Sequence, residues 1–474
     1  MTTFSISPMD APLPITKGRI ADFAADPAIC MKNLWRAHGE VAALDEEGQR
    51  LYFVFGPTYT RQVLSDSQRF HSQFFAIRGP RRSSQRRVTS GLLTMNGESH
   101  KQHRRIVMGP FQKRSISAYH DTVVSLAREA TADWQPGQVR DLASDMTHYM
   151  LRLTSSILFG IDMPELAFRV GELTERWVTL NHRVGPAAFF SDDQTSGLYG
   201  QLLQAAEELE VAVKEMIQIR RSGRLGYDVL SLLIRAHEME EGVTDDQLIG
   251  HIVLLFGAAH LTSAHTLTWT LFLLAQHPEV MQKVYQEIGE ISRNGSLEPD
   301  DLERTPYLDL ALKESMRILP SSSYSQRVTT EPVELGPFQL PRGASIIFSQ
   351  FITHHLPDIY VQPEQFQPER WESISPSPYA YFPFGAGPRM CVGAALGMMQ
   401  LKITLPILLS RFKMTVTPRA EINPRIMSTM LFPASPVPVM LSEHDGKFES
   451  SPVTGTIHSM VTLPGAAHAR QRVA

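Results

Sequence analysis

Cysteine is nearly absent from this 474-residue chain: Cys30 and Cys391 are the only two. Two thiols so far apart in sequence cannot build a disulfide framework, and they fit a reducing, cytoplasmic compartment. A dominant charge is missing too, because 45 basic residues face 49 acidic ones and leave a formal net charge of −4. Nothing global therefore points to nucleic acid or to an anionic membrane surface as a partner. Long apolar runs are scarce. The start, MTTFSISPMDAPLPITKG, has no apolar core of signal or anchor length, and no later segment offers a clean span of about 20 apolar residues. The longest candidate, 250–276, carries His251, His260 and His265 among several Thr and Ser, and reads as a buried helix. Gly/Ser linkers, internal repeats, nucleotide-binding glycine fingerprints and a second cysteine cluster for an iron–sulfur centre are also absent. What remains is one large core, which a hydrophobic content of 43% supports.

The texture changes along the chain. Residues 1–20 are punctuated by proline and read as irregular. A helix is expected over 24–38, then a hairpin in VAALDEEGQRLYFVFG around an acidic, glycine-containing turn, then a helix over 57–66. Residues 74–97 read as a long loop bearing Arg78, Arg81, Arg82, Arg86 and Arg87. From 98 to 243 the pattern is mostly helical, with breaks near Gly185–Pro186 and at SDDQTSG. Thr244 is placed to cap the next helix, with Asp245 and Asp246 at the positive end of its dipole. That helix runs to about 276, and others follow over 278–292 and 304–319. After Pro320 short strands alternate with turns, and the helix ALGMMQLKITLPILLSRF follows. The fold class is mainly α with small β-sheets. Residues 21–442 form the expected single domain, and 443–474 a loosely held tail.

The most informative segment is FPFGAGPRMCVG, which sets Cys391 among Gly385, Gly387 and Gly393, with Arg389 two residues before it. This is poor chemistry for a disulfide. It suits a thiolate held beneath a metal macrocycle: glycines let backbone N–H groups approach the sulfur, and the start of the following helix favours negative charge. Phe384 can cover the proximal face, and Arg389 suits a carboxylate of the macrocycle.

This loop resembles the haem-binding loop of the cytochromes P450, whose Phe, Gly, Arg, Cys and Gly fall at Phe384, Gly385, Arg389, Cys391 and Gly393. Further matches occur in family order along most of the chain. The resemblance implies a triangular, helix-rich fold and a thiolate-ligated haem b with iron on Cys391. In ALKESMRIL, Glu314 and Arg317 share a helical face. The resemblance implies that they form a buried network with Arg370 of FQPERW, supporting folding rather than chemistry. In GESHKQHRRIVMGPF, His100 and Arg104 also share a face and correspond to propionate ligands, as does Arg327 in SQRVTTEPVEL. The segment that commonly reads His-Arg-Asp-Pro is here His354, His355, Leu356 and Pro357, which leaves His355 as a weak propionate candidate.

LLFGAAHLTSAHTLTW resembles the family's oxygen-side helix. Ala258 and Ala259 leave room for dioxygen and substrate, and Thr262 stands where the family's threonine assists proton transfer. Asp or Glu usually precedes that threonine, but this chain has Leu261. His260, Ser263 and His265 are the neighbouring polar candidates, with His260 weighed as a catalytic group.

The family's substrate-contacting regions fall near 74–97, 172–200, 254–265, 321–325 and 426–433. Candidate pocket residues are Leu261, Ser323, Tyr324, Met427 and Met430, with Phe74, Phe75 and Ile77 in the first region. The arginine series suits a carboxylate, phosphate or carrier-bound substrate. The expected activity is monooxygenation of a medium-to-large natural-product intermediate, with O2 as co-substrate. Electrons are expected from NAD(P)H through a separate ferredoxin or flavodoxin and its reductase. Oxidative coupling, peroxide-dependent oxidation or rearrangement are alternatives that the Leu261 departure keeps open. A non-enzymatic haem sensor or electron carrier is a third reading.

Overall fold

The computed structural model describes residues 13–73, 77–160, 162–187, 192–240, 243–291 and 298–464. Phe74, Phe75 and the side chains of 185–196 lie outside the described residues. The molecule is organised around the helix Asp245–Gln276. Its start is fixed by a capping box. The Thr244 N–H donates to Gln247 Oε1 at 2.8 Å, and the Gln247 N–H donates to Thr244 Oγ1. The helix is apolar around nearly its whole circumference because other helices surround it. It packs most heavily against Leu142–Phe159 and also meets Pro164–Ala187, Pro306–Ile318 and Ala394–Arg411. By length and composition it could cross a membrane, yet Leu267, Trp269, Phe272 and Leu274 are fully enclosed.

A six-stranded sheet flanks this core. Its order is Ile15–Lys17, Val41–Glu46, Gln49–Val54, Ser345–Phe348, Ser325–Thr329, Phe70–Ser72. The expected hairpin forms its second and third strands, pairing Val41 with Val54 through Glu46 with Gln49. Its turn places Glu47 and Gly48 at φ 50° and 91°, the twist that suits a two-residue connection. A smaller hairpin, Pro424–Met427 with Met430–Pro433, points its turn at Ser428–Thr429 back toward the core.

Four expectations are corrected. Strand Ile15–Lys17 and the start of helix Ile20–Ala25 order the end of the segment read as irregular. The loop over 74–97 contains a helix, Ser84–Val88, capped by the Ser83 hydroxyl, and a turn of 3₁₀ helix at Leu92–Thr94. The helix Pro164–Ala187 continues across Gly185–Pro186. The described part of the tail is held rather than loose. Thr462 N–H donates to Glu364 O at 2.7 Å, and Ile457, Val461 and Leu463 are buried. Proline-poor apolar spacing in VTGTIHSMVTL carries that packing.

Candidate active site

Cys391 opens onto a cavity of about 470 Å³ enclosed by the central helix, the helix Gly97–Met108, the large sheet and the cysteine loop. Phe384, Gly385, Arg389, Ala258, Ala259 and Thr262 all line it, as the sequence predicts. The loop is built by backbone geometry. The Cys391 N–H donates to Phe384 O at 2.8 Å, closing the turn. Gly385 and Gly387 sit at φ 70° and 71°, and a Cβ on Gly387 would stand 2.3 Å from Leu64 O. Only glycine fits there. Burial pushes the Cys391 thiol pKa up, while the Gly393 N–H and the Arg104 charge oppose that shift by stabilising the thiolate.

Beside the sulfur a cationic cradle assembles from distant parts of the chain. Arg104 Nη2 donates to Met390 O at 2.7 Å, tying the early helix to the cysteine loop. Arg389 donates to Asn96 Oδ1 at 2.6 Å and to Met95 O, but its buried Nε has no partner among the described residues. Arg327 packs over the Phe348 ring at 5.0 Å and donates to Gln326 O. Burial and mutual repulsion lower Arg327 to about 9 and Arg389 to about 10. His100, buried near all three guanidiniums, is lowered to about 4 and is therefore neutral. Among the described residues no Asp or Glu lines the cavity. Converging cations, an unsatisfied guanidinium nitrogen and no carboxylate call for an anionic occupant. Together with a thiolate donor, this set fits iron protoporphyrin IX: Cys391 would hold the iron, and His100, Arg104, Arg327 and Arg389 would hold its carboxylates.

The predicted support network is present and fully buried. Arg317 makes a bidentate pair with Glu314, both contacts at 2.9 Å, and Arg370 Nε reaches Glu314 Oε1 at 2.8 Å. Trp371 Nε1 and the Gln367 N–H complete the carboxylate's shell. The network continues to the cysteine loop through His354, not His355. His354 O accepts from Arg317 at 2.8 Å, and His354 Nε2 accepts from the Phe382 N–H at 3.0 Å. His355 instead bonds Phe351 O, packs tilted against the Phe351 ring and stays off the cavity, which corrects its candidacy as a propionate ligand.

The oxygen side departs further from expectation. Thr262 Oγ1 donates to Ala258 O at 2.8 Å and lies on the cavity wall with Ser263. His260, one position before Leu261, points the other way. It is buried with Nε2 on Thr147 O at 3.2 Å, it is lowered to about 4 by burial, and it does not line the cavity. Adjacent helix positions differ by about 100°, which turns it toward Leu142–Phe159. His260 is thus corrected from catalytic candidate to packed helix residue, and His265 is enclosed in the same way. Leu261 also packs on the core instead of the cavity.

Among the pocket candidates Tyr324 lines the cavity, whereas Ser323, Met427 and Met430 do not. Ser323 is fully buried, its hydroxyl on Pro320 O. Met427 and Met430 pair with each other across the small hairpin, so the turn between them, Ser428–Thr429, reaches the cavity instead. Leu92 and Leu93 on the wall and Asn96 behind Arg389 fall within the expected region 74–97 without having been singled out, and sequence reasoning missed His251. His251 could have been found by counting back from Thr262: positions 251, 255, 258, 259 and 262 fall on one helical face.

Comparison with known proteins agrees with this geometry. The family model for Cytochrome P450 matches residues 19–441. The chain is 30% identical over 391 residues to cyclooctat-9-en-7-ol 5-monooxygenase of Streptomyces melanosporofaciens, covering 81% of this chain and 84% of that one. It is 26% identical over 405 residues to cyclooctatin synthase of the same organism, covering 82% and 86%. Among solved structures, a cytochrome P450DA heme domain superposes with a TM-score of 0.79 at 21% identity, covering 92% of this chain and 98% of that one. A retinoic acid-bound cyanobacterial CYP120A1 superposes with 0.75 at 22%, covering 87% and 94%. The family match and the relatives named as monooxygenase and synthase support an enzyme rather than a haem sensor or electron carrier. The cysteine loop, the cationic cradle and the matched relatives carry the same conclusion: the chain belongs to the cytochrome P450 family and is an oxidoreductase of its monooxygenase type.

Proposed function

We propose that this enzyme inserts one oxygen atom from O2 into a medium-to-large natural-product intermediate bearing both hydrocarbon bulk and hydrogen-bonding groups. The observation that carries this reading is the two-sided cavity. Leu92, Leu93, Leu254, Leu255 and Ala258 make one wall apolar, while Ser321, Ser322, Tyr324, Ser428 and Thr429 make another polar. Bound haem supplies reductive activation of O2. The protein's part is to hold the thiolate, to exclude water with the leucine wall, and to present protons. Thr262 is placed for the last task. Its hydroxyl proton is held on Ala258 O, leaving the oxygen free to accept from water, so delivery requires the hydroxyl to rotate toward the cavity. The relatives support the substrate class: one is named for oxidation of cyclooctat-9-en-7-ol, the other for synthesis of cyclooctatin.

Electrons come in this reading from NAD(P)H through a separate ferredoxin or flavodoxin and its reductase, and the protein works in the cytoplasm, where its two free cysteines stay reduced. A second reading rests on the absence, among the described residues, of any Asp or Glu lining the cavity. Without a carboxylate relay, oxidative coupling, peroxide-dependent oxidation or rearrangement requires less from the wall. The test is product analysis under isotopically labelled O2 with reconstituted redox partners. One labelled oxygen per product supports monooxygenation, and products that carry no labelled oxygen support the second reading.

A further inference from the structure

We propose that His251, held in turn by His103, is a positioning residue that fixes the Leu92–Leu93 wall of the cavity and thereby selects which ligands fit. The observations lie outside the haem ligands and outside the Thr262 region. Leu92 N–H donates to His251 Nδ1 at 3.1 Å, and His251 Nε2 meets His103 Nδ1 at 2.9 Å, all buried.

The donors fix the tautomers. A backbone N–H can only donate, so His251 Nδ1 carries no proton. Its proton is then on Nε2 and is given to His103, whose own proton must sit on its Nε2. Both rings are neutral in this arrangement, and burial favours that state in each. The charged neighbours of the pair come from the next helix, Val229–Met239, and its end: His237 disfavours and Glu240 favours a proton on His103.

The same segment is seated on the central helix at two further points. Ser90 Oγ donates to Asp246 O at 2.6 Å. Gly91 and Gly250 meet backbone to backbone, since a Cβ on Gly91 would stand 2.3 Å from Gly250 O and one on Gly250 2.4 Å from Gly91 N. These contacts set how close the segment lies. They leave the final turn free, because a glycine contact has no directional bond. His251 supplies the directional bond at the residue where the chain enters the cavity wall, and Leu92 and Leu93 follow from it. This inference rests on the cavity being the ligand site of a haem-thiolate enzyme.

The test uses the haem-loaded enzyme and two probes, imidazole and 1-octylimidazole, titrated by the shift of the haem absorbance. Imidazole needs little of the wall, whereas the octyl chain must pack along it. Their Kd ratio therefore reads wall position. In His251→Leu the ratio is expected to change by roughly tenfold, the scale of one buried hydrogen bond, with imidazole itself nearly unaffected. His251→Gln, whose carboxamide can accept from Leu92 and donate to His103, is expected to restore most of the ratio. A ratio unchanged in His251→Leu, with a normal carbon-monoxide spectrum, overturns the proposal. If that variant fails to load haem, His103→Asn carries the test: a changed ratio supports the clamp and an unchanged one overturns it. Failure of the haem-thiolate reading would show separately, as an abnormal carbon-monoxide spectrum of the parent protein.

Discussion

The two faces of the cavity are specified in different ways. On the Cys391 side the residues stand in short, recognisable motifs even where folding brings distant ones together: glycines at φ 70° and 71°, a cysteine N–H on Phe384 O, and one carboxylate, Glu314, satisfying two arginines and a tryptophan. On the Thr262 side the wall is assembled from segments far apart in the chain, and the side chains of His260 and Leu261, which precede Thr262, turn away from the cavity. The lesson is that backbone-dictated geometry confines a site to a local pattern, whereas a packed wall depends on which face each helix presents.

The sharpest way to break this comparison is Glu314→Ala. It leaves two guanidiniums buried without their carboxylate, a change that costs about 3–5 kcal/mol, a large share of the stability of a typical domain. Purified protein is expected to contain little haem by its absorbance ratio. Normal loading would show that the proximal network is not what holds the loop. Next in size is Gly387→Ala, which places a Cβ against Leu64 O in a left-handed backbone. It is expected to lower Tm by several degrees, from a strain of roughly 1–3 kcal/mol. Gly397→Ala, whose Cβ meets Phe384 only at 3.9 Å, is expected to be nearly neutral.

On the other face the effects are on coupling rather than stability. Thr262→Ala is expected to lower the fraction of electrons that reach product, on the order of the 10²-fold that a positioned proton donor contributes. Leu261→Asp is expected to change coupling little, because Leu261 does not line the cavity. A large improvement with Asp would mean that proton delivery passes through that position after all. The smallest effect concerns pH. Burial lowers His251 and His354 to about 3 and His260 to about 4, from an ordinary value of 6.5. The unfolded chain therefore binds more protons than the folded one below pH 6.5. Their contribution to stability is present above 6.5 and is lost progressively as pH falls toward 4 and 3. Tm measured across that window is expected to decline, and a flat profile would contradict neutral burial of these rings.

Much of the fold was legible because its periodicity is local: the Thr244 cap, the Val41–Val54 hairpin and the helix after Cys391 all lie where the pattern places them. The proximal site was legible for the same reason. His260 and Leu261 misled because sequence adjacency to Thr262 is not spatial adjacency on a helix. Met427 and Met430 misled because the apolar residues of the small hairpin pair with each other and send the Ser428–Thr429 turn inward. The tail beyond 443 misled because its Ser-, Gly- and His-rich composition masks the spaced apolar residues Ile457, Val461 and Leu463 that bury, while Glu364 O gives Thr462 a hydrogen-bonded seat. His354 was passed over for its neighbour because only the three-dimensional path from Arg317 to Phe382 distinguishes them.

The central claim is that Cys391 presents a thiolate to a haem held in this cavity. The direct measurement is the absorption spectrum of the purified, reduced protein under carbon monoxide. The account expects a Soret band of the thiolate-ligated type, lost in Cys391→Ser. A folded protein that carries no haem, or a Soret band that is unchanged when Cys391 is replaced, would contradict it.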